Sequence, residues 1–365
     1  MSSTAPRRRA THAGSWYSSS PSKLDAQLNG WLNEVDPSAI PSAVEVASLS
    51  PSPLTSPLTL PIEGCRAIIG PHAGYSYSGP AAAWAYRCIP ATTAGVRIKR
   101  VFMLGPSHHH YLDRCALSRC SVYETPLGDL KVDGETSREI MMSGQKGDWE
   151  WMERGVDEAE HSIEMHAAYV RKVFEGQEIT IVPILVGAIS TRQESYYGSL
   201  LAPYLADPDN FFVVSSDFCH WGSRFSYTYY RPSPDASSTS LSSTFRPREG
   251  DAPIHQSIRD LDDEGMQAIS FPTSSSPSPS GSGAVQGEGK SAIQAKEEFA
   301  AYLKKTRNTV CGRHPIGVLL GALAELESQK GQKSECRFVR YEQSSECESY
   351  RDSSVSYASA FVRFL

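Results

Sequence analysis

Apolar residues along this chain recur with two periods. Leu24, Leu28 and Leu32 fall on one helical face, and the spacing predicts a helix over Leu24–Val35. Four short, nearly continuous apolar runs, Ala67–Gly70, Val101–Leu104, Ile179–Val186 and Phe211–Val214, read instead as strands buried on both faces. Helical patterns lie between and after them, at Ala81–Cys88, Glu164–Phe174, Glu194–Leu205, Gln294–Lys304 and Ile316–Leu326. Arg337–Gln343 and Ser354–Val362 read as late strands. Alternating strands and helices predict a layered α/β fold, with a central, largely parallel or mixed sheet flanked by helices. No internal repeat is visible. The candidate site motifs are spread over most of the chain, which predicts a single domain over residues 1–365.

Three segments break the pattern, at about residues 36–61, 231–251 and 271–291. They are rich in Ser, Pro and Gly and poor in aromatics. Such segments bury too little apolar area to offset the entropy of ordering them, so they are expected to be flexible surface insertions.

Composition narrows the function classes. Of 365 residues, 40% are hydrophobic, and the net charge is -6, which leaves no electrostatic footprint for nucleic acid. The one basic run, Arg7-Arg8-Arg9, reads as a solvated tail. No apolar stretch approaches the roughly 20 residues of a membrane span. Met1–Ala10 lacks the apolar core of a secretory signal. The eight cysteines are scattered and form no CxxC pair, which predicts reduced thiols and a cytoplasmic or nuclear location.

The candidate chemistry sits beyond the strands. Ligands in open α/β sheets bind outside the carboxyl ends of the strands. His72 follows the first strand in a stiff Pro-His-Ala-Gly turn, and His108, His109 and His110 follow the second. Asp217, Cys219 and His220 end the Phe211–Val214 run. His220 is suited to act as a general base, and Asp217 to orient an imidazole. Cys311 precedes Arg313, His314 and a helix start, three features that lower a thiol pKa. His161 and His166 lie about 140° apart on a helix, so they form no H-x3-H metal pair and read as supporting residues. There is no GxSxG, Walker A, GxGxxG or HExxH motif.

The segments THAGSWY, PHAGYSYSG, LGPSHH, EHSIEMH, VVSSDFCHWG, CGRHPIGVLL and DSSVSYA occur in this order between about Thr11 and Ala360. Together they resemble the Memo family (mediator of cell motility), which is similar in turn to the class III extradiol dioxygenases, holders of a non-haem iron. The resemblance implies a dioxygenase-like fold. It places two metal-ligating histidines on His72 and His108, the base on His220, and the carboxylate ligand's position on Cys311. A thiolate beside two imidazoles suits iron or copper, one ion per chain, for redox chemistry, and puts ring cleavage in doubt. The resemblance further implies a link to cell motility and cytoskeletal signalling. An alternative is a non-catalytic adaptor that takes signalling proteins or phosphopeptides in the same pocket. A third reading, a thiol hydrolase using Cys311 with His220 or His314, lacks a local signature.

Overall fold

A computed structural model describes residues 6–39, 58–91, 95, 97–233, 235–245, 247–272 and 289–365. The expected insertions at 36–61 and 271–291 fall largely outside these residues. In chain order the first elements are β1 (Arg7–Arg8), α1 (Pro21–Glu34), β2 (Cys65–Gly70), α2 (Tyr75–Arg87) and β3 (Arg100–Pro106). An excursion follows, made of β4 (Cys115–Ser118), β5 (Val122–Tyr123), β6 (Leu130–Val132), α3 (Gly134–Met142), β7 (Trp149–Met152) and α4 (Arg154–Ala159). Then come α5 (His161–Val173), β8 (Thr180–Val186), α6 (Thr191–Ala206), β9 (Asn210–Ser215) and β10 (His220–Gly222). The remainder comprises β11 (Tyr229–Tyr230), β12 (Thr239–Ser240), α7 (Ile254–Ile269), α8 (Ala292–Thr306), α9 (Arg313–Lys330), β13 (Ser334–Gln343) and β14 (Ser353–Phe364).

The sheet is mixed, in the order β1-β5-β6-β8-β3-β9-β2-β14-β10. Its centre, β8-β3-β9-β2, is all parallel, and β14 closes onto β2 antiparallel. The four apolar runs of the sequence are these four central strands. Period-two alternation splits their side chains between two cores. Ile69, Leu104, Ile184 and Val214 face α6–α9, whereas Ile68, Met103, Ile181 and Val213 face α1, α2 and α5. The result is a single α/β domain in three layers.

The chain-order sequence β2, β3, β9 becomes β3-β9-β2 in space. The loops leaving the carboxyl ends of these three strands are therefore adjacent, and they carry His108, Asp217 and His72. This is the convergence that the strand ends predicted.

Several expectations need correction. α2 begins at Tyr75, not Ala81, because Gly79 and Pro80 lie inside the helix rather than before it. Helices α3 and α7 and the strands of the β4–β7 excursion were not predicted. Segment 231–251 is not wholly a surface insertion: Leu241 is buried, Phe245 packs on Tyr230 at 5.1 Å, and Arg231 pairs with Glu264. The basic run is not a solvated tail either. β1 pairs in parallel with β5, and Arg8 is 1% exposed. Its guanidinium donates to Asp157 Oδ1 (3.0 Å), Glu164 Oε2 (2.7 Å) and the carbonyl of Glu160 (2.7 Å).

All eight cysteines are free; seven are buried and Cys311 is partly buried. Among the described residues no helix is long and apolar enough to cross a membrane.

Candidate metal centre

His72 is 2% exposed at the end of β2. Its backbone N–H donates to Asp217 Oδ1 (2.7 Å), and its Nδ1 lies 2.6 Å from Ser215 Oγ. Ser215 spends its only hydroxyl proton on the carbonyl of Ser162 (2.7 Å), so it accepts from His72 Nδ1–H. The bare nitrogen is therefore Nε2, and it stands 3.2 Å from Cys311 Sγ.

His108 is oriented by Glu160, which caps the N-terminus of α5. One carboxylate oxygen accepts the backbone N–H (2.7 Å) and the other meets Nδ1 (2.9 Å). A carboxylate can only accept here, so Nδ1 carries the proton and Nε2 is free. Burial raises the pKa of Glu160, but the hydrogen bonds from His108 and from the Ser162 backbone outweigh it and hold the carboxyl at about 2. A histidine whose far nitrogen is fixed by a carboxylate is the usual arrangement of a metal ligand.

His161 opens α5 and stacks on His108, with ring centroids 4.4 Å apart. It also lies 5.5 Å from the His72 ring and 4.5 Å from Trp16. Its Nδ1 is buried with no hydrogen-bond partner. Among the described residues, ligand atoms of His72, His108 and His161 all lie within 4.8 Å of one another. Burial first, then the neighbouring imidazoles, push the pKa of His72 well down and that of His161 to about 3. Both are neutral at pH 7 and present lone pairs.

Cys311 enters from the other side of the sheet end, just before α9. Its Sγ accepts the backbone N–H of Asp217 at 3.2 Å. Two donors on one ion, at bond lengths of about 2.0–2.3 Å, stand roughly 3–4 Å apart. The Cys311–His72 separation of 3.2 Å fits that spacing. The loop can lie this close only because residue 312 is glycine: a Cβ there would sit 2.3 Å from both Ser215 O and Ser216 Cβ. Gly312→Ala is expected to cost roughly 1–3 kcal/mol through forced displacement of this loop. Thermal unfolding of the variant checks this.

The expected lowering of the Cys311 pKa is overturned. Burial, and then the charge of Asp217, push the thiol well above its ordinary value. Arg313 is exposed, and His314 Nδ1 turns to Glu194 at 2.8 Å. Without a bound cation, Cys311 is a thiol.

Asp217, the residue expected to orient an imidazole, and His220, the expected base, both follow β9. Asp217 holds the backbone of His72, while Ser215 holds its ring; burial pushes the Asp217 carboxyl up to about 7. His220 points Nδ1 at two carbonyl oxygens, Phe218 (2.9 Å) and Thr309 (3.1 Å). Nδ1 must therefore be protonated, which leaves Nε2 as the basic nitrogen. Sequence reasoning missed Glu160, Ser215 and Thr309 and gave His161 only a supporting role. The signal for the first was present, since Glu160 immediately precedes His161 in EHSIEMH.

The donor set suits a transition metal. It offers three imidazoles, His72 and His108 with their outer nitrogens committed to other partners and His161 with Nδ1 3.6 Å from Glu160 Oε1.

Fold and site together define a single α/β domain with a histidine-rich centre beyond its parallel strands. The chain belongs to the Memo family: a family model described as Memo-like protein matches residues 8–276 and 290–361. It is 44% identical over 361 residues to "Protein MEMO1" of Xenopus laevis, with 98% of each chain covered. It is 42% identical over 363 residues to "Protein MEMO1" of Homo sapiens, again with 98% of each covered. The "Protein memo-1 homolog" of Caenorhabditis elegans is 38% identical over 355 residues, covering 97% of this chain and 82% of its own.

Proposed function

We propose that this protein binds one iron or copper ion through His72, His108 and Cys311, with His161 in reach as a further donor. The observation that carries the reading is the 3.2 Å approach of Cys311 Sγ to the bare Nε2 of His72, beside the carboxylate-oriented His108. When bound, the ion supplies a redox-active Lewis-acid centre. His72, His108 and Cys311 hold it; Ser215 and Glu160 keep the two imidazoles in their ligating tautomers. His220 offers Nε2 as a base at the edge of the site, and Asp217 fixes the strand-end loop that carries His72. Unmodified extradiol ring cleavage is not part of the proposal, because a thiol stands where that chemistry uses a carboxylate. Elemental analysis of protein purified without added metal or a nickel tag tests the reading. Metal-free protein that takes up neither Fe(II) nor Cu(I) under reducing conditions would refute it.

A second reading, an adaptor that takes protein or phosphopeptide partners here in line with the family's motility link, is favoured by one observation. Trp16, tilted against His161 at 4.5 Å, is 37% exposed, and Tyr77 and Tyr111, near His72 and His108 in sequence, are 59% and 81% exposed. Partner capture that survives Cys311→Ser, in protein without turnover, would select it.

A further inference from the structure

Helix α7 buries Ile254, Ile258, Leu261 and Ile269, and on the same side of the helix it buries a carboxylate, Asp262, at 0% exposure. No lysine, arginine or histidine pairs with Asp262 among the ion pairs of the described residues. Four groups of other kinds reach it. Oδ1 accepts from Asn308 Nδ2 (2.8 Å) and from the backbone N–H of Cys219 (3.2 Å). Oδ2 accepts from Tyr341 OH (3.0 Å), and the Ser356 hydroxyl also bonds the carboxylate. A buried acid is costly unless its acceptors are filled, and here two of its donors lead to one place.

Asn308 passes the constraint on. Its Oδ1 accepts the backbone N–H of Thr309 at 2.7 Å. Thr309 grips His220 at three points. Its Oγ1 accepts the His220 backbone N–H (2.7 Å) and donates to the His220 carbonyl (3.1 Å). Its own carbonyl accepts from ring Nδ1 (3.1 Å). Cys219, the residue before His220, is held by the same carboxylate oxygen. Asp262 thus anchors both segments that position the imidazole: the loop carrying its carbonyl acceptor and the strand carrying the histidine.

We infer that Asp262 is a positioning residue for His220. It fixes, through Asn308 and Thr309, the tautomer that leaves Nε2 basic. The inference rests on the reading of His220 as the base of the site. Which ring nitrogen is protonated is set by the partner of the other one. Here the partners are the carbonyls of Phe218 (2.9 Å) and Thr309 (3.1 Å): the first belongs to the peptide whose N–H, that of Cys219, Asp262 holds, and the second is reached from Asp262 through Asn308. The Tyr341 hydroxyl at Oδ2 can reverse from donor to acceptor, so asparagine should serve at position 262 nearly as well as aspartate. Alanine should not.

The test reads the imidazole itself. Long-range proton–nitrogen NMR on the isotope-labelled full-length chain, with His220 assigned by its loss in His220→Gln, should show a single Nδ1–H tautomer in the parent. Asp262→Asn should retain it. Asp262→Ala should lose it to a mixture, and any oxygen-dependent turnover should fall roughly 10–100-fold. Asn308→Ala, which keeps the carboxylate and cuts the link, should reproduce the loss even if Asp262→Ala does not fold. A folded Asp262→Ala or Asn308→Ala protein with the parental tautomer overturns the inference, as does loss of the tautomer in Asp262→Asn. Failure of the base reading shows separately, as a parent chain with the single tautomer but no turnover that depends on His220.

Discussion

Cys311→Ala is expected to lower affinity for Fe(II) or Cu(I) by more than the roughly 10–100-fold that removal of an outer-shell partner costs, and His72→Ala to do the same. The sulfur is the softest donor at the centre and lies 3.2 Å from His72 Nε2, while His72 is buried at 2% exposure and has no second route to a ligand role. Binding must also release the thiol proton, because burial keeps Cys311 protonated until a cation arrives. Chelator competition measures the affinity, and calorimetry in buffers of different ionisation enthalpy counts the protons. His161→Ala separates the possible third ligands. If it costs as much as Cys311→Ala, all three imidazoles and the sulfur hold the ion. If it costs little, the two imidazoles and the sulfur do. Unchanged affinity in both Cys311→Ala and His72→Ala would place the metal elsewhere. Cys311→Ser, nearly isosteric, should keep the fold and still lose the metal.

The largest loss of stability is expected from Arg8→Ala. Removing the guanidinium leaves the carboxylates of Asp157 and Glu164 buried, at 2% and 1% exposure, without their cation. Breaking a buried ion pair in this way typically costs about 3–5 kcal/mol. Arg8→Lys should recover little, since one ammonium cannot reach acceptors that Nε, Nη1 and Nη2 now divide between them. Arg7→Ala serves as the control, because its pairs with Glu124 and Asp129 are about half exposed. Thermal unfolding of the three variants decides the matter, and equal melting temperatures for the Arg7 and Arg8 variants would overturn it. The same network carries a pH signature. Burial raises the Glu164 carboxyl, but the hydrogen bond from His12 and the charge of Arg8 hold it at about 2, against 4.5 when free. A folded value below the unfolded one stabilises the protein fully above pH 4.5, and this contribution is lost as pH falls from 4.5 towards 2. In Arg8→Ala the acid transition should begin at higher pH.

The four central strands were legible because a strand covered on both faces must be apolar throughout, and no surface helix shares that pattern. The excursion from β4 to β7 was not legible: two-to-four-residue strands such as Val122–Tyr123 are too short to show a period. Helix α7 does have a readable face in Ile254, Ile258, Leu261 and Ile269, but it lies between two Ser/Pro-rich stretches that mask its pattern.

From the sequence alone came the layered α/β class, the strand ends as the place of the site, and His72, His108, Asp217, His220 and Cys311 as its candidates. These follow from local periodicity and from residue types at loop positions, which one segment can display by itself. The tertiary structure decided what no segment contains. It set β9 between β3 and β2, and so brought three loops to one point. It buried Arg8 against carboxylates about 150 positions away, where the sequence shows only a basic terminus. It placed His161 in the cluster, because the stack on His108 depends on how α5 packs against the sheet. It also reversed the expected shift of the Cys311 thiol, since burial by distant residues outweighs the charge of sequence neighbours that point away.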